Sequence, residues 1–262
     1  MKKIQKINQF NYYGTYILIL REIKRFMKVY NQTIIAPIIT ALIFLSIFAL
    51  ALGDGDKKIH NVPFIDFIGY GLIIMTIMQN SFANSSSSLI MARVLGYVND
   101  ILMTPFEGLE LVCAYTAGSI ARGFLVGAIL SLVLSVFIEF RIHDIYLLFS
   151  YALLATIFMS ILGTLSALIT DNFDQNSAIT SYIITPLSFL SGTFYSIHSL
   201  PKWVQTINLY NPFFYIIDGF RYSIIGESDG NIFFGISYLT LLAIIFGIMT
   251  VKIIDSGWKL KP

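Results

Sequence analysis

Residues 29–53 read VYNQTIIAPIITALIFLSIFALALG and contain no charged side chain. A helix needs about 20 apolar residues to cross the hydrocarbon core of a bilayer, and unpaired backbone groups are not tolerated there. The chain has six such charge-free stretches, and each is predicted to be a membrane-spanning helix. The third stretch reaches the required length only by extending back through Arg122 to about Leu111. The six stretches are 29–53, 67–92, 123–138, 145–170, 175–201 and 230–251.

The composition agrees with a membrane protein, because charged residues make up 12% of the chain against about 25% in soluble domains. The sequence predicts an all-α integral membrane protein with six transmembrane helices, as a single domain over residues 1–262. An interfacial segment, residues 1–30, precedes the first span, and re-entrant outer helices are predicted between spans five and six. The predicted spans are about 32–52, 67–87, 111–138, 145–169, 176–196 and 231–251.

The distribution of basic residues predicts the orientation, because Lys and Arg concentrate on the cytoplasmic side of membrane proteins. Seven of them precede the first span, which places the N-terminus in the cytoplasm. Six spans put both termini inside, with eleven basic residues on the cytoplasmic side and five outside. A seventh span over residues 203–225 would weaken this bias. Polar or helix-breaking residues also interrupt that segment, namely Asn211, Pro212, Asp218 and Arg221.

Residues 14–30 are predicted to form an amphipathic helix, because apolar and basic side chains recur on opposite faces at spacings of three and four. Such a helix suits the cytoplasmic headgroup layer. It is either a simple anchor, with basic residues that only fix the orientation of the chain in the membrane, or a docking surface for a cytoplasmic partner. The predicted apolar face consists of Tyr16, Ile19, Leu20, Ile23, Phe26, Met27 and Tyr30.

A second cytoplasmic segment, residues 93–110, is predicted to contain a short helix that ends before Pro105, because the residue before a proline avoids the α conformation. An isolated short helix is unstable in water, so its apolar stripe must pack on the membrane or on another protein. The segment is therefore a surface connector or a partner-binding helix. The apolar stripe consists of Val94, Val98, Ile101 and Leu102.

The outer segment 195–226 is predicted to form two short helices that dip into the outer leaflet. Ser199 is predicted to cap the first helix with Pro201 inside its first turn, and the second helix runs from about Phe213 to Ile225. Irregular backbone at membrane depth needs protein or a water-filled cavity around it, so this segment is predicted to cap or line a pathway. Its candidate residues are Pro201, Trp203, Asn211, Pro212, Asp218 and Arg221.

Arg122 is the one basic residue inside a predicted span, and an ionisable side chain in a membrane helix is a functional candidate. The alternatives are snorkelling to the surface or a bond to Glu107 or Glu110. Small residues around Arg122 at spacings of four favour close packing between helices. In span five, Pro186 and Gly192 predict a kink.

The sequence lacks the residues that several kinds of binding or catalytic site need. No G-x-x-x-x-G-K-[ST] phosphate loop occurs, which excludes ATP binding by that device. The one cysteine, Cys113, excludes an internal disulfide, and the histidines lie in outer loops without metal-ligand spacing. The serines at 85–88 have no histidine within a span to act as a base, which argues against a serine hydrolase. These serines are instead predicted to pack tightly at the cytoplasmic end of span two.

Four segments in consistent order resemble the ABC-2 type transport permeases of bacterial inner membranes. They are REIKRFMKVYNQTIIAPIIT at 21–40, NDILMTP at 99–105, AGSIARGFLVG at 117–127 and LSGTFYSIHSLPKWVQTINLYNPFFYIIDGFRYSIIG at 190–226. The resemblance extends from about Arg21 to Gly226. His198 and Lys202 are a departure, because they give the outer helices a polarity outside any evident drug-export pattern.

The resemblance implies an exporter permease that works as a homodimer with two separate ATPase subunits, which hold the ATP and magnesium. It implies that residues 93–105 act as the coupling helix, that 14–30 form a connecting helix facing the ATPase, and that about 196–225 are re-entrant. The chain itself is then not an enzyme and carries no cofactor. The ATPase-coupling candidates are Glu22, Arg25, Arg93, Asn99, Asp100 and Pro105.

The transport pathway is predicted along spans two and five at the dimer interface, where aromatic and amide groups suit an amphipathic, lipid-like, drug or glycan cargo. Two other hypotheses stay open. A membrane scaffold or assembly protein would use the same cytoplasmic segments to recruit a partner other than an ATPase. A secondary transporter would be expected to carry midplane charges or an inverted repeat, whereas five spans are uncharged and no repeat is visible. The pathway candidates are Gln79, Asn80, Asn84, Phe189 and Phe194.

Overall fold

The computed structural model of the protein describes residues 10–52, 58–59, 61–96 and 106–257. The regular structure in these ranges is helical apart from one short hairpin. The predicted coupling residues Asn99, Asp100 and Pro105, and the short helix predicted around them, lie outside the described residues. Their roles therefore stay predictions.

Ten α-helices make up most of the described chain. The first five are α1 (Tyr12–Lys28), α2 (Ala36–Leu52), α3 (Phe64–Val94), α4 (Gly108–Leu134) and α5 (Ile145–Ile169). The others are α6 (Phe173–Ile179), α7 (Thr185–Ser188), α8 (Lys202–Asn208), α9 (Pro212–Ile225) and α10 (Ile232–Ser256). Strands β1 (Lys58–Ile59) and β2 (Val62–Pro63) pair antiparallel. The π-helical turns are Asn31–Ile35, Thr180–Ile184 and Phe189–Thr193, and a 3₁₀ turn covers Ile197–Ser199.

Five helical segments of the described chain are long and apolar enough to cross a membrane. They correspond to predicted spans one, two, three, four and six. The prediction of an all-α membrane protein is therefore confirmed. The five segments are Asn31–Ala51, Phe64–Val94, Gly108–Leu134, Ile145–Ile169 and Ile232–Ser256.

The predicted fifth span is not one regular helix. Between Phe173 and Thr193, α6 and α7 alternate with two π-helical turns. Pro186 lies in α7, where its ring removes one backbone donor, and π-helical turns stand on both sides of that short helix. Gly192 has a φ of 86°, a left-handed conformation that glycine adopts readily. The predicted kink is confirmed at Gly192.

The helices α3, α4 and α5 pack closely because small residues stand where they cross. A Cβ atom on Gly163 of α5 would lie 2.4 Å from the Phe82 carbonyl oxygen of α3. One on Gly123 of α4 would lie 2.4 Å from Ser81 Oγ. The Ser85 hydroxyl donates to a carbonyl oxygen of α5 at 2.8 Å. The predicted small-residue packing of span three and the packing role of the serines are therefore confirmed.

Helices α2 and α10 leave most of their surface uncovered by the rest of the chain. These apolar faces contact lipid or another protein, because a helix of this hydropathy is stable only in apolar surroundings. On the first span, isoleucines at a spacing of four form an exposed row. This row consists of Ile35, Ile39, Ile43 and Ile47.

The face that α1 packs against the bundle shares only Phe26 with the predicted apolar face among its buried residues. Three members of that face, Tyr16, Met27 and Tyr30, are exposed. A charged residue, Glu22, is buried in their place, because two neighbouring arginines neutralise it and a glycine of α4 leaves room for it. The spacing of apolar residues did not predict that Glu22 would be buried or that it would pack against a glycine of α4. The residues that α1 buries are Thr15, Leu18, Glu22 and Phe26.

Candidate functional site

A narrow stripe of α3 is left uncovered by the other helices. Between residues 66 and 92 nearly every residue of α3 is buried. The exceptions are Gln79, Ala83, Ser87 and Met91, which we call the uncovered stripe. A spacing of four places these side chains on one face of the helix. The sequence did not predict this face, because apolar and small polar residues surround α3 on all sides.

A cavity of about 280 Å³ lies between α2 and the Gln79 end of the uncovered stripe. Gln79 and Thr76 line it from α3, and Thr40 and Phe44 line it from α2. The lining combines amide and hydroxyl groups with apolar side chains, and its residues are uncharged. Such a lining suits a molecule with both polar and apolar parts.

Four phenylalanines join α2 to the predicted fifth span beside this cavity. The ring of Phe48 stacks on that of Phe194 with 4.6 Å between the centroids, and Phe189 lies 5.4 Å from Phe194. Phe44 lies 6.0 Å from both Phe189 and Phe194, and it also lines the cavity. The predicted pathway residues Gln79, Phe189 and Phe194 therefore lie around one groove, which we call the α2–α3 groove.

Arg25 reaches the uncovered stripe from α1. Its Nη1 donates to Ser87 Oγ at 3.3 Å. Its Nη2 donates to the carbonyl oxygen and to Oδ1 of Asn84, at 2.8 and 3.0 Å. Asn84, a predicted pathway residue, is fully buried and holds the guanidinium rather than facing the groove. The predicted coupling residue Arg25 and the predicted pathway residue Asn84 are thus in direct contact.

Glu22 is the carboxylate of this contact and is 0% exposed. Its Oε1 accepts from Arg21 at 3.1 Å and its Oε2 from Arg25 at 3.2 Å. Gly118 of α4 leaves the space that Glu22 fills, because a Cβ on that glycine would lie 2.7 Å from the Glu22 Cβ. A charged contact therefore fixes α1 to α3 and α4.

Arg122 lies behind the groove, 7% exposed, and donates from Nη2 to Asn80 Oδ1 at 2.9 Å. Asn80 in turn donates to the Thr76 carbonyl oxygen at 2.9 Å, so this predicted pathway residue also faces away from the groove. The alternative bond from Arg122 to Glu107 or Glu110 is not formed. Among the described residues, the Nε atom of Arg122 has no hydrogen-bond partner.

Arg93, a predicted coupling residue, joins the C-terminal end of α3 to the C-terminal end of α5. Its Nη2 donates to the Thr170 carbonyl oxygen at 2.7 Å and also to the Ala167 carbonyl oxygen. The last carbonyl groups of a helix lack partners within it and favour a cation. Arg93 therefore joins two spans, which the sequence did not predict.

Two acidic residues that the sequence did not predict in this role join helices α1, α4 and α10. Glu110 Oε2 accepts from the Glu107 amide at 2.8 Å, and its Oε1 accepts from the Asn11 amide ahead of α1. Asp255 at the end of α10 accepts from the Gly108 amide at 2.8 Å. The start of α4 is thus connected to α1 and to α10.

Asp218 and Arg221 brace the outer segment from within α9. Asp218 accepts from the Asp229 and Gly230 amides at 2.9 Å each, and burial raises the pKa of this carboxyl group while the Arg221 charge opposes the rise. Arg221 donates to the Gly192 carbonyl oxygen at 3.0 Å and lies 3.8 Å above the Phe67 ring. Both candidates therefore hold loops in place.

The remaining outer candidates define the two predicted short helices. Asn211 caps α9 by accepting from the Phe213 amide at 3.0 Å, and Pro212 is the first residue of that helix. The predicted start of the first helix is wrong by two positions: Pro201, not Ser199, is its cap, and α8 begins at Lys202. The Trp203 side chain is 68% exposed. Its aromatic ring is available to a membrane interface.

A larger cavity of about 880 Å³ opens at the other side of α3, near Asp66 and Tyr70. Tyr70 stands nine residues from Gln79, which turns the two side chains to opposite faces of the helix. Glu139, Arg141 and His143 are among its lining residues. None of the predicted pathway residues lines this cavity.

These features define a class of protein: a polytopic helical membrane protein with a groove of polar and apolar residues along one span and a separate helix, α1, that contacts this span near one end. The chain belongs to the ABC-2 type transporter family, whose sequence model matches residues 13–225. The resemblance read from the four sequence segments is thereby confirmed.

Relatives with curated descriptions agree with this family. The chain is 30% identical over 241 residues to the inner membrane transport permease YadH of Escherichia coli (strain K12), covering 92% of this chain and 94% of that protein. It is 24% identical over 195 residues to the putative transport permease ycf38 of Cyanophora paradoxa, covering 72% of this chain and 67% of the relative. The protein is therefore a membrane permease component of an ABC transporter, and its family implies association with an ABC ATPase subunit.

Proposed function

We propose that this chain is the permease subunit of an ATP-driven exporter in the bacterial inner membrane, working as a homodimer with two ATPase subunits. It crosses the membrane six times with both termini in the cytoplasm, and the segment Phe173–Thr193 is the additional span. ATP and magnesium are bound by the partner, and the chain itself is not an enzyme. The observation that carries the proposal is the insertion of Arg25 from α1 at the end of the uncovered stripe.

The α2–α3 groove serves as this chain's half of the transport pathway. Its polar residue Gln79 and the phenylalanine cluster lie together on a face that the chain leaves uncovered. A second copy facing the groove and the exposed isoleucine row of α2 would enclose a passage between the subunits. The mixed lining supports an amphipathic, lipid-like, drug or glycan cargo.

Coupling proceeds through α1 and the segment 93–105. Because Arg25 contacts both Asn84 and Ser87, a push on α1 by an ATPase would act directly on α3, whose Gln79 lines the groove. The connections from α4 to Asn11 and Asp255 would carry the same motion to other spans.

The first experiment is affinity purification of the tagged chain from membranes in a gentle detergent, with mass spectrometry of the proteins that accompany it. An ABC ATPase in equal amount, with ATP hydrolysis in the purified complex, supports the proposal. A homodimer without an ATPase, even after cross-linking in the membrane, contradicts it and favours the membrane scaffold. Transport that follows an ion gradient rather than ATP would favour a secondary transporter.

Replacing Gln79 by Trp is expected to lower export about tenfold, since an indole would project into the 280 Å³ cavity beside the stripe and narrow it. The measurement is ATP-driven uptake of a fluorescent amphiphile by inside-out proteoliposomes that hold the permease and its ATPase. Leu241→Trp, on the exposed face of α10, is the matched control and should transport normally. Equal transport by both variants would contradict a pathway at Gln79.

Replacing Asp100 by Lys is expected to separate ATP hydrolysis from transport while the protein still inserts and folds. The reason is that the resemblance assigns Asp100 to the segment that meets the ATPase, where reversed charge disfavours the contact. Transport per ATP hydrolysed is the quantity to measure. Unchanged transport in this variant would remove the coupling role of this residue.

A further inference from the structure

We propose that the cytoplasmic end of the uncovered stripe binds the negatively charged headgroup of an amphipathic molecule. The inference rests on the proposed function, because it names the chemical class of cargo that the α2–α3 groove accepts. The evidence is the excess of positive charge around Arg25. A groove for neutral cargo would not need this excess.

Positive charge exceeds negative charge around Arg25. Two guanidinium groups, those of Arg21 and Arg25, pair with the carboxylate of Glu22, and a third, that of Arg122, is near enough to Arg25 for their charges to interact. Arg122 bonds the neutral amide Asn80, and its electrostatic neighbour is Arg25, which has the same sign. Positive charge in low-dielectric surroundings is costly without a counter-charge. An anion that enters here is therefore stabilised.

The charge of Arg25 is accessible from the uncovered stripe. The Arg25 side chain is 22% exposed, and its Nη1 meets Ser87 Oγ on the uncovered stripe. Arg21, with a side chain 42% exposed, stands on the other side of Glu22. A phosphate or carboxylate at Ser87 would meet the remaining N–H of Arg25 Nη1 and the positive charges of Arg25 and Arg21, since the other Arg25 donors bond Glu22, Asn84 and Ser87. A charge-assisted hydrogen bond of this kind binds such anions in proteins.

The uncovered stripe also offers room for an apolar tail. From Ser87 the uncovered stripe continues through Ala83 to Gln79, about 12 Å along the helix axis at 1.5 Å per residue. There it meets the cavity and the ring of Phe44. A headgroup at Ser87 and a medium-length alkyl chain along the stripe therefore occupy one continuous face.

The test is binding of dodecyl phosphate to the purified full-length chain in phosphatidylcholine nanodiscs. Saturable binding is expected, and Arg25→Gln should weaken it about tenfold, because a charged hydrogen-bond donor is lost. Lys24→Gln is the matched control: it removes the same charge from an exposed position of the same helix and should bind normally. Dodecyltrimethylammonium should show no saturable binding.

A second variant keeps the test decisive if Arg25→Gln fails to fold. Ser87→Asp places a carboxylate beside Arg25, so it should remain folded and still lose dodecyl phosphate binding. Equal binding by the unchanged chain, Ser87→Asp and Lys24→Gln would overturn the proposal. Equal binding of the ammonium compound would overturn it as well, because the site would then recognise only the alkyl chain.

Two further measurements are needed. One identifies the source of the anion, and the other tells failure of this inference from failure of the proposed function. Nanodiscs containing phosphatidylglycerol should compete with dodecyl phosphate if a membrane lipid supplies the headgroup, and should not if the amphiphile comes from the cytoplasm; the anionic class is supported in either case. The binding measurement needs no ATPase. Loss of the ATPase complex with binding retained would overturn the proposed function alone, and ATP-driven transport without anion binding would overturn this inference alone.

Discussion

Replacing Glu22 by Gln is expected to lower the free energy of unfolding by about 3 kcal/mol, the cost of removing one partner from a buried ion pair. Arg25 would stay inserted between α1 and α3 without its counter-charge, close to the charge of Arg122. In the proposed mechanism α1 would then be attached less firmly to α3 and α4, so ATP-driven export is expected to fall as well. The measurements are thermal unfolding in detergent and ATP-driven export in proteoliposomes.

The matched control is Glu139→Gln. Glu139 forms an ion pair with Arg141 at 2.9 Å, but the two side chains are 74% and 86% exposed. Exposed pairs contribute about 0–1 kcal/mol, so this variant should unfold and transport like the unchanged protein. If the two variants lost equal stability, the buried contact of Glu22 would not be what fixes α1.

Replacing Gly163 by Ala is the second change with a large expected effect. The new methyl group would lie 2.4 Å from the Phe82 carbonyl oxygen and 2.4 Å from Ser85 Oγ. Because a backbone atom cannot rotate away, α3 and α5 must separate, and the free energy of unfolding is expected to fall by about 2 kcal/mol. Thermal unfolding of the purified chain measures the loss.

Gly247→Ala provides a control of opposite sign. A Cβ there would lie 3.6 Å from Ile161 Cδ1, an ordinary contact, so the better helix propensity of Ala should raise stability by up to about 1 kcal/mol. Two Gly→Ala changes in membrane helices would thus differ in direction. Stabilisation by both would mean that α3 and α5 do not touch at Gly163.

The sequence predicted the helices far better than their contacts. Five of its spans match helices of sufficient length and hydropathy, because a charge-free run of this length is stable only as a helix across a bilayer. The second outer helix was also predicted, since Asn211 and Pro212 are a cap and a first residue by their own chemistry. The kink at Gly192 followed from glycine in the same way.

The candidate site was predicted only in part. Gln79, Phe189 and Phe194 lie around one groove, whereas Asn80 bonds Arg122 and Asn84 bonds Arg25. Adjacent residues of a helix point in different directions, so a polar patch in the sequence does not state which member faces a pathway. The coupling roles of Asn99, Asp100 and Pro105 stay predictions.

The sequence by itself determined that this is a helical membrane protein, how its apolar segments are spaced and to which family it belongs. The tertiary structure decided which face of α3 stays uncovered, that Glu22 is buried against Gly118, and that Arg25 enters the bundle. The physical reason lies in the solvent. Lipid tails are as apolar as the interior of the bundle, so hydropathy identifies a span but cannot tell its buried side from its lipid side. Packing of small residues and pairing of charges make that choice, and both depend on residues distant in sequence.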